Sequence, residues 1–181
     1  MMHQRMDLSK GFQIEQPRVF VPWDTPESQF EDGFGKLHLR PVTHGYFTAH
    51  CTSLQGLSHE LGFHFYPRNN GKLVEFEFFR SSYPDLGASY QEFQRHLEAT
   101  FGQPTITVSG SEGYPSHTWR FPGAEVVHLV QEHFGPAEYV RIKKIGERRE
   151  WLSIAVGIPL TRYPPHRPGR ALISASGSYL G

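Results

Sequence analysis

The chain has 181 residues, enough for one domain with a real core and short for two. Its 18 Lys/Arg balance 18 Asp/Glu, which excludes the strongly basic field of a general nucleic-acid or anionic-membrane binder. One cysteine, Cys51, excludes an internal disulfide framework, and no apolar run approaches the roughly 18 residues of a membrane span, so the expected location is the cytoplasm.

The 14 Phe, 8 Tyr and 3 Trp predict an aromatic core, and 18 Gly with 14 Pro predict many short connections, a composition that favours sheet over helix. Charge is uneven along the chain: residues 1–140 hold 10 Lys/Arg against 16 Asp/Glu, whereas residues 141–181 hold 8 against 2.

Residues 1–11 carry no periodic signal and read as a loose lead-in. Phe12 to Val21 is strand-like, with Pro17 making it an edge or splitting it. Asp24 or Thr25 can cap a short helix over Pro26 to Glu31, which Asp32-Gly33 and Gly35 end. Lys36 to Leu39 is extended until Pro41. His44 to Leu54 is a strand with Phe47, Ala49, Cys51 and Ser53 inward and Tyr46, Thr48, His50 and Thr52 outward.

Leu61 to Tyr66 and Lys72 to Arg80 flank a turn-rich segment and predict a hairpin, the second strand facing the core with Val74, Phe76 and Phe78. A helix follows from Ser89 to Phe101. Tyr90, Phe93, Leu97 and Phe101 form its apolar stripe, Ser89 and Glu92 are spaced as a capping box, and Gly102 with Pro104 is the stop signal. Two more hairpins are expected, Thr105 to Ser109 with His117 to Phe121 and Glu125 to Glu132 with Glu138 to Ile145. Trp151 to Ile158 reads as a final strand, and residues 161–181 as a Pro/Gly/Ser-rich basic tail. The expected fold class is α+β: a single domain over residues 12–160, built on a mainly antiparallel twisted sheet of about eight strands with one main helix and one short N-terminal helix.

Eleven histidines invite a metal site, but their spacing does not provide one. His44 and His50 would stand roughly 20 Å apart along a strand, and no His-x-His, His-Glu-x-x-His or Cys-x-x-Cys occurs. No metal, cofactor or catalytic residue is therefore expected. Cys51 lies on an apolar strand face and reads as a packed thiol. Arg141 and Lys143 alternate with Val140 and Ile142 as an exposed strand face does, so nucleic acid is not an expected partner even with Lys144, Arg148 and Arg149 nearby. Glu75 and Glu77 share one strand face. With Tyr66, Arg80, Tyr83 and Asp85 they compose an acidic and aromatic surface suited to a protein partner. Two alternatives from other classes are a small hydrolase or metal-dependent enzyme using His50, His64, Glu75 and Glu77, and a small-ligand module with an aromatic pocket under the helix.

The layout over roughly residues 12–145 resembles small bacterial α+β proteins of the immunity class, which neutralise polymorphic or contact-dependent toxins. The shared features are Val21-Pro-Trp23-Asp-Thr-Pro26 leading a short helix, and a helix ending Leu97-Glu-Ala-Thr-Phe-Gly102-Gln-Pro104 before paired strands containing Trp119. The resemblance implies a non-enzymatic cytoplasmic inhibitor, a monomer or homodimer, that binds one protein partner through an acidic or aromatic patch. It assigns no site residues.

Overall fold

A computed structural model describes residues 7–66, 71–79, 85–132 and 136–146. These fall in one compact unit, Met1–Glu147. The strand expected over Trp151 to Ile158, the domain end at residue 160 and the tail lie outside the described residues, as do Arg80 and Tyr83.

The aromatic-rich, turn-punctuated sequence folds as α+β. A two-stranded ribbon opens the fold: β1 (Gly11–Ile14) pairs with β2 (Val19–Pro22). Pro17 splits the expected first strand, and the turn between the two halves carries a cis Gln16-Pro17 bond. The short helix α1 (Glu27–Gly33) follows. Pro26 occupies its N-cap position, and no side chain caps it. Asp24 instead pairs with Lys144, and the Thr25 hydroxyl donates to the Pro22 carbonyl at 2.8 Å.

Among the described residues the main sheet has eight strands, every pair antiparallel. Its first half is a meander of β3 (Arg40–Thr43), β4 (Tyr46–Ser53), β5 (Leu57–Tyr66) and β6 (Lys72–Phe79). Helix α2 (Leu86–Phe101) then carries the chain to the far edge, where β7 (Ile106–Val108), β8 (Ser116–Phe121), β9 (Ala124–Glu132) and β10 (Pro136–Lys144) return inward. The two meanders join where β10 pairs with β6, giving the order β3-β4-β5-β6-β10-β9-β8-β7.

One face of this sheet is buried. Phe12 packs on Phe76 and Phe78, Trp23 on Phe76, and Phe30 on Phe47, Phe63 and Phe65, so the ribbon and α1 cover the first meander. Phe101 packs on Trp119 and Phe121, so α2 covers the second. Burying each such aromatic stabilises the fold by about 1.5–3 kcal/mol. Both buried indoles are satisfied: Trp23 Nε1 donates to the Leu8 carbonyl and Trp119 Nε1 to the Gly102 carbonyl, each at 2.7 Å. The second bond uses a carbonyl just past the end of α2, where helix carbonyls lack internal partners. Among the described residues no helix is long and apolar enough to cross a membrane.

Three local expectations change, the first at Lys36 to Leu39, where Gly35–Leu37 form a 3-10 turn instead of an extended segment. Helix α2 starts one turn earlier than Ser89, because the Asp85 carboxylate accepts from the Ala88 amide at 3.1 Å and is the true N-cap. In β6 the inward residues are Leu73, Phe76 and Phe78, while Val74 is only half-buried. The register shifts between His64 and Phe65, whose partners are Glu75 and Leu73, so Val74 is the extra residue of a β-bulge.

The bulge makes a direct prediction. In urea unfolding, Leu73→Ala should cost about 2–5 kcal/mol, as for a buried leucine, whereas Val74→Ala should cost less than about 1 kcal/mol. The reverse order would contradict this register.

Candidate functional site

The opposite face of the sheet carries no helix among the described residues. Register places one residue from each strand in a single cross-strand row: Arg40, Thr48, Gly62, Glu77, Arg141, Val127, Thr118 and Ile106. Beside it, Tyr46, His64, Glu75 and Lys143 align in a second. Period-two alternation puts these polar groups outward because their neighbours Phe47, Phe63, Phe76 and Ile142 are core.

The polar groups form one connected network. Arg141 bridges two carboxylates, with Nη1 3.0 Å from Glu75 Oε1 and Nη2 2.9 Å from Glu77 Oε1. Lys143 Nζ lies 3.4 Å from Glu75 Oε2, and His64 Nε2 lies 2.8 Å from Glu77 Oε2. The Tyr46 ring stacks on His64 with centroids 4.3 Å apart, and its hydroxyl donates to Glu77 Oε2 at 3.4 Å. Gly62 permits this course, since a Cβ there would stand 2.6 Å from the Tyr46 hydroxyl. The Arg141 guanidinium also lies 5.0 Å from the Tyr139 ring centroid.

Electrostatics follow from the contacts. The His64 hydrogen bond, opposed by burial and aided by the Arg141 charge, holds the Glu77 carboxyl below the usual glutamate range. Burial, then the negative charge of Glu77, pushes the Tyr46 phenol up to about 12, so Tyr46 remains a donor. Glu75 and Glu77 are therefore not an open acidic patch: their side chains are 15% and 20% exposed, and both are neutralised by Arg141 and Lys143. A Glu77 held ionised in this way carries no proton for acid catalysis near neutral pH.

The other expected site residues scatter. Tyr66, at the end of β5, is 53% exposed. Asp85 caps α2. His50 contacts Ser58, with Nε2 3.1 Å from the hydroxyl oxygen, and lies 4.0 Å from Glu60, which is itself paired with Arg40 at 2.8 Å. It does not join His64. Among the described residues no group of three His, Cys, Asp or Glu side chains is placed to hold a metal ion.

The same face also carries apolar side chains, set among polar ones such as Thr118, Arg120 and Glu125. Val127 and Leu129 on β9 and Tyr139 on β10 are half-buried, while Ile106 and Val108 at the β7 edge are 36% and 55% exposed. Val127 pairs with Arg141 and Tyr139 lies against it, while Thr118 stands between Val127 and Ile106.

Sequence reasoning missed two interior polar groups. Ser53 Oγ lies 2.6 Å from His59 Nε2, and Cys51 Sγ lies 4.0 Å from the same atom. All three residues are buried, and burial pushes the Cys51 thiol up to about 12, which leaves it unreactive as a nucleophile. Between α2 and the sheet, His128 contacts Gln94 and Glu138, and Glu138 accepts from the Ser89 hydroxyl. The available signal was a histidine at an inward position of the run Val126-Val-His-Leu-Val130. Two surface grooves lie among the described residues. One of about 540 Å³ runs along Tyr90, Gln94, Arg95 and Glu98, and another of about 540 Å³ lies among Glu27, Glu31, Asp32, His44 and Phe47.

Glu77 generates a pH prediction. Its folded carboxyl titrates below the ordinary value of 4.5, so its contribution to stability is present above that value and is lost as pH falls through the lowered one. Glu77→Gln should flatten the acid limb of stability, read by urea unfolding from about pH 5 to about pH 2. An unchanged limb would contradict the network.

No family model matches the chain, and no curated protein matches it. Among solved structures the chain is similar to a DUF4309 family protein (YjgB) from Bacillus subtilis, at 15% identity and a TM-score of 0.38, over 67% of this chain and 79% of that one.

Proposed function

We propose that the chain is a non-enzymatic binding protein of the immunity type, which inhibits a toxin enzyme in the cytoplasm by covering it with the uncovered face of its sheet. The observation that carries this reading is the fixed array of Tyr46, His64, Glu75, Glu77, Arg141 and Lys143 on the same face as the partly exposed Val127, Leu129, Tyr139, Ile106 and Val108. Tyrosine and arginine anchor protein interfaces more than other residues do. Side chains already held in place lose little conformational freedom on binding, which lowers the entropic cost of association. The partly exposed apolar side chains supply the desolvation gain that paired charges do not.

The reading keeps Glu75 and Glu77 from the sequence-based surface, with Tyr66 at its margin. It changes their role from an acidic lure to parts of a neutral, pre-organised array with Arg141 and Lys143. Partner recognition then depends on shape and on matched polar groups more than on net charge.

The test mixes the purified chain with the enzyme encoded beside its gene. A stoichiometric complex by size-exclusion chromatography with light scattering, together with loss of enzyme activity, is the expected result. Val108→Asp and Tyr66→Ala, both at exposed positions, should weaken binding by about tenfold or more. Arg18→Ala, on the turn of the opposite layer, should not change it. An enzyme that stays active in saturating chain overturns the inhibitor reading, and unaltered binding by both variants overturns this face as the interface.

A further inference from the structure

His128 lies in the middle of β9 with its side chain 0% exposed, and the proposed binding face does not use it. Its Nδ1 is 2.7 Å from Gln94 Oε1 and its Nε2 is 2.8 Å from Glu138 Oε1. The orientation of the Gln94 amide is set at its other end, where Nε2 donates to Glu98 Oε1 at 2.7 Å. The atom facing His128 is therefore a carbonyl oxygen, which only accepts, and the Glu138 carboxylate also only accepts. Two acceptors facing two ring nitrogens require two N–H groups, which imidazolium has and neutral imidazole lacks.

The surroundings agree with a charged ring. Tyr90 stacks on His128 with centroids 4.2 Å apart and planes 25° from parallel, which places a cation over a π face. The other Glu138 oxygen accepts from the Ser89 hydroxyl. Gln94 and Ser89 of α2 are thus both fastened to the sheet through the His128–Glu138 pair.

We propose that His128 is a proton-dependent latch: charged, it fastens α2 to the β9–β10 hairpin, and loss of its proton loosens the helix. A neutral ring keeps one N–H, so either Gln94 or Glu138 is left facing a lone pair. A ring without that proton cannot satisfy both acceptors, so docking weakens as pH rises. The groups facing the ring are Glu138 from β10, His117 from β8, and Tyr90 and, through Gln94, Glu98 from α2. Tyr90 stays protonated because burial, then the charges of Glu138 and Glu98, pushes its phenol up to about 12. A loosened α2 uncovers the Phe93, Leu97 and Phe101 stripe.

Nitrogen NMR and amide hydrogen exchange on the full chain test this. Both ring nitrogens of His128 should be protonated at about pH 6. After correction for intrinsic rates, the amides of Phe93 and Leu97 should exchange at least about tenfold faster at about pH 9 than at about pH 6, with Leu61 and Phe63 in β5 unchanged. Gln94→Glu in a Glu98→Gln background, which sets a carboxylate on the ring without facing it to a second one, should extend α2 protection to higher pH, and His128→Leu should remove the pH dependence. If His128→Leu does not fold, the Gln94→Glu shift decides. A single protonated ring nitrogen at the lower pH, equal corrected exchange at both, or no shift in Gln94→Glu would overturn the latch.

Discussion

The antiparallel pairing of β6 with β10 is the contact on which the rest depends. It joins two meanders that are separate in sequence, setting Val140 against Phe78, Arg141 against Glu77, Ile142 against Phe76 and Lys143 against Glu75. Because side chains alternate along a strand, this one register places Phe76, Phe78, Val140 and Ile142 in the core and brings both outer carboxylates to both outer cations. A one-residue slip of β10 would turn Val140, Arg141, Ile142 and Lys143 to the wrong face. The core and the charged array thus specify the same register from opposite sides of the sheet.

That pairing also sets the task of α2. Leaving β6, the chain must reach the far edge before it can return strand by strand to β10, and α2 with its apolar stripe crosses the buried face to do so. The ribbon and α1 cover the other half, with Phe12, Trp23 and Phe30 as their anchors. Where α2 meets β9 and β10 the interface is not wholly apolar. Ser89, Gln94, His128 and Glu138 form a polar seam, and a seam of paired groups specifies position more narrowly than apolar packing does.

Particular residues show why some features were legible and others were not. Tyr90, Phe93, Leu97 and Phe101 declared the helix face because helical period is local. Ser89 with Glu92 had the spacing of a capping box, yet Asp85 caps the helix and Ser89 serves Glu138, 49 positions away. Val74 fitted a perfect alternation that a bulge interrupts, and the bulge is set by the partner strand. Glu75 and Glu77 read as an exposed acidic pair because Arg141, 64 positions from Glu77, was not visible beside them. Gly62 carried no signal at all, since its reason is the Tyr46 ring lying across it.

The sequence by itself determined the α+β class, the run of hairpins, the inward faces of most strands and the amphipathic helix, because these rest on period, turn chemistry and capping within a few residues. Only the tertiary structure decided the strand order, the β6–β10 closure, the neutralised array on the uncovered face and the His128 seam. Each of those depends on which distant residues come within hydrogen-bond distance, and spacing along a chain does not encode that distance.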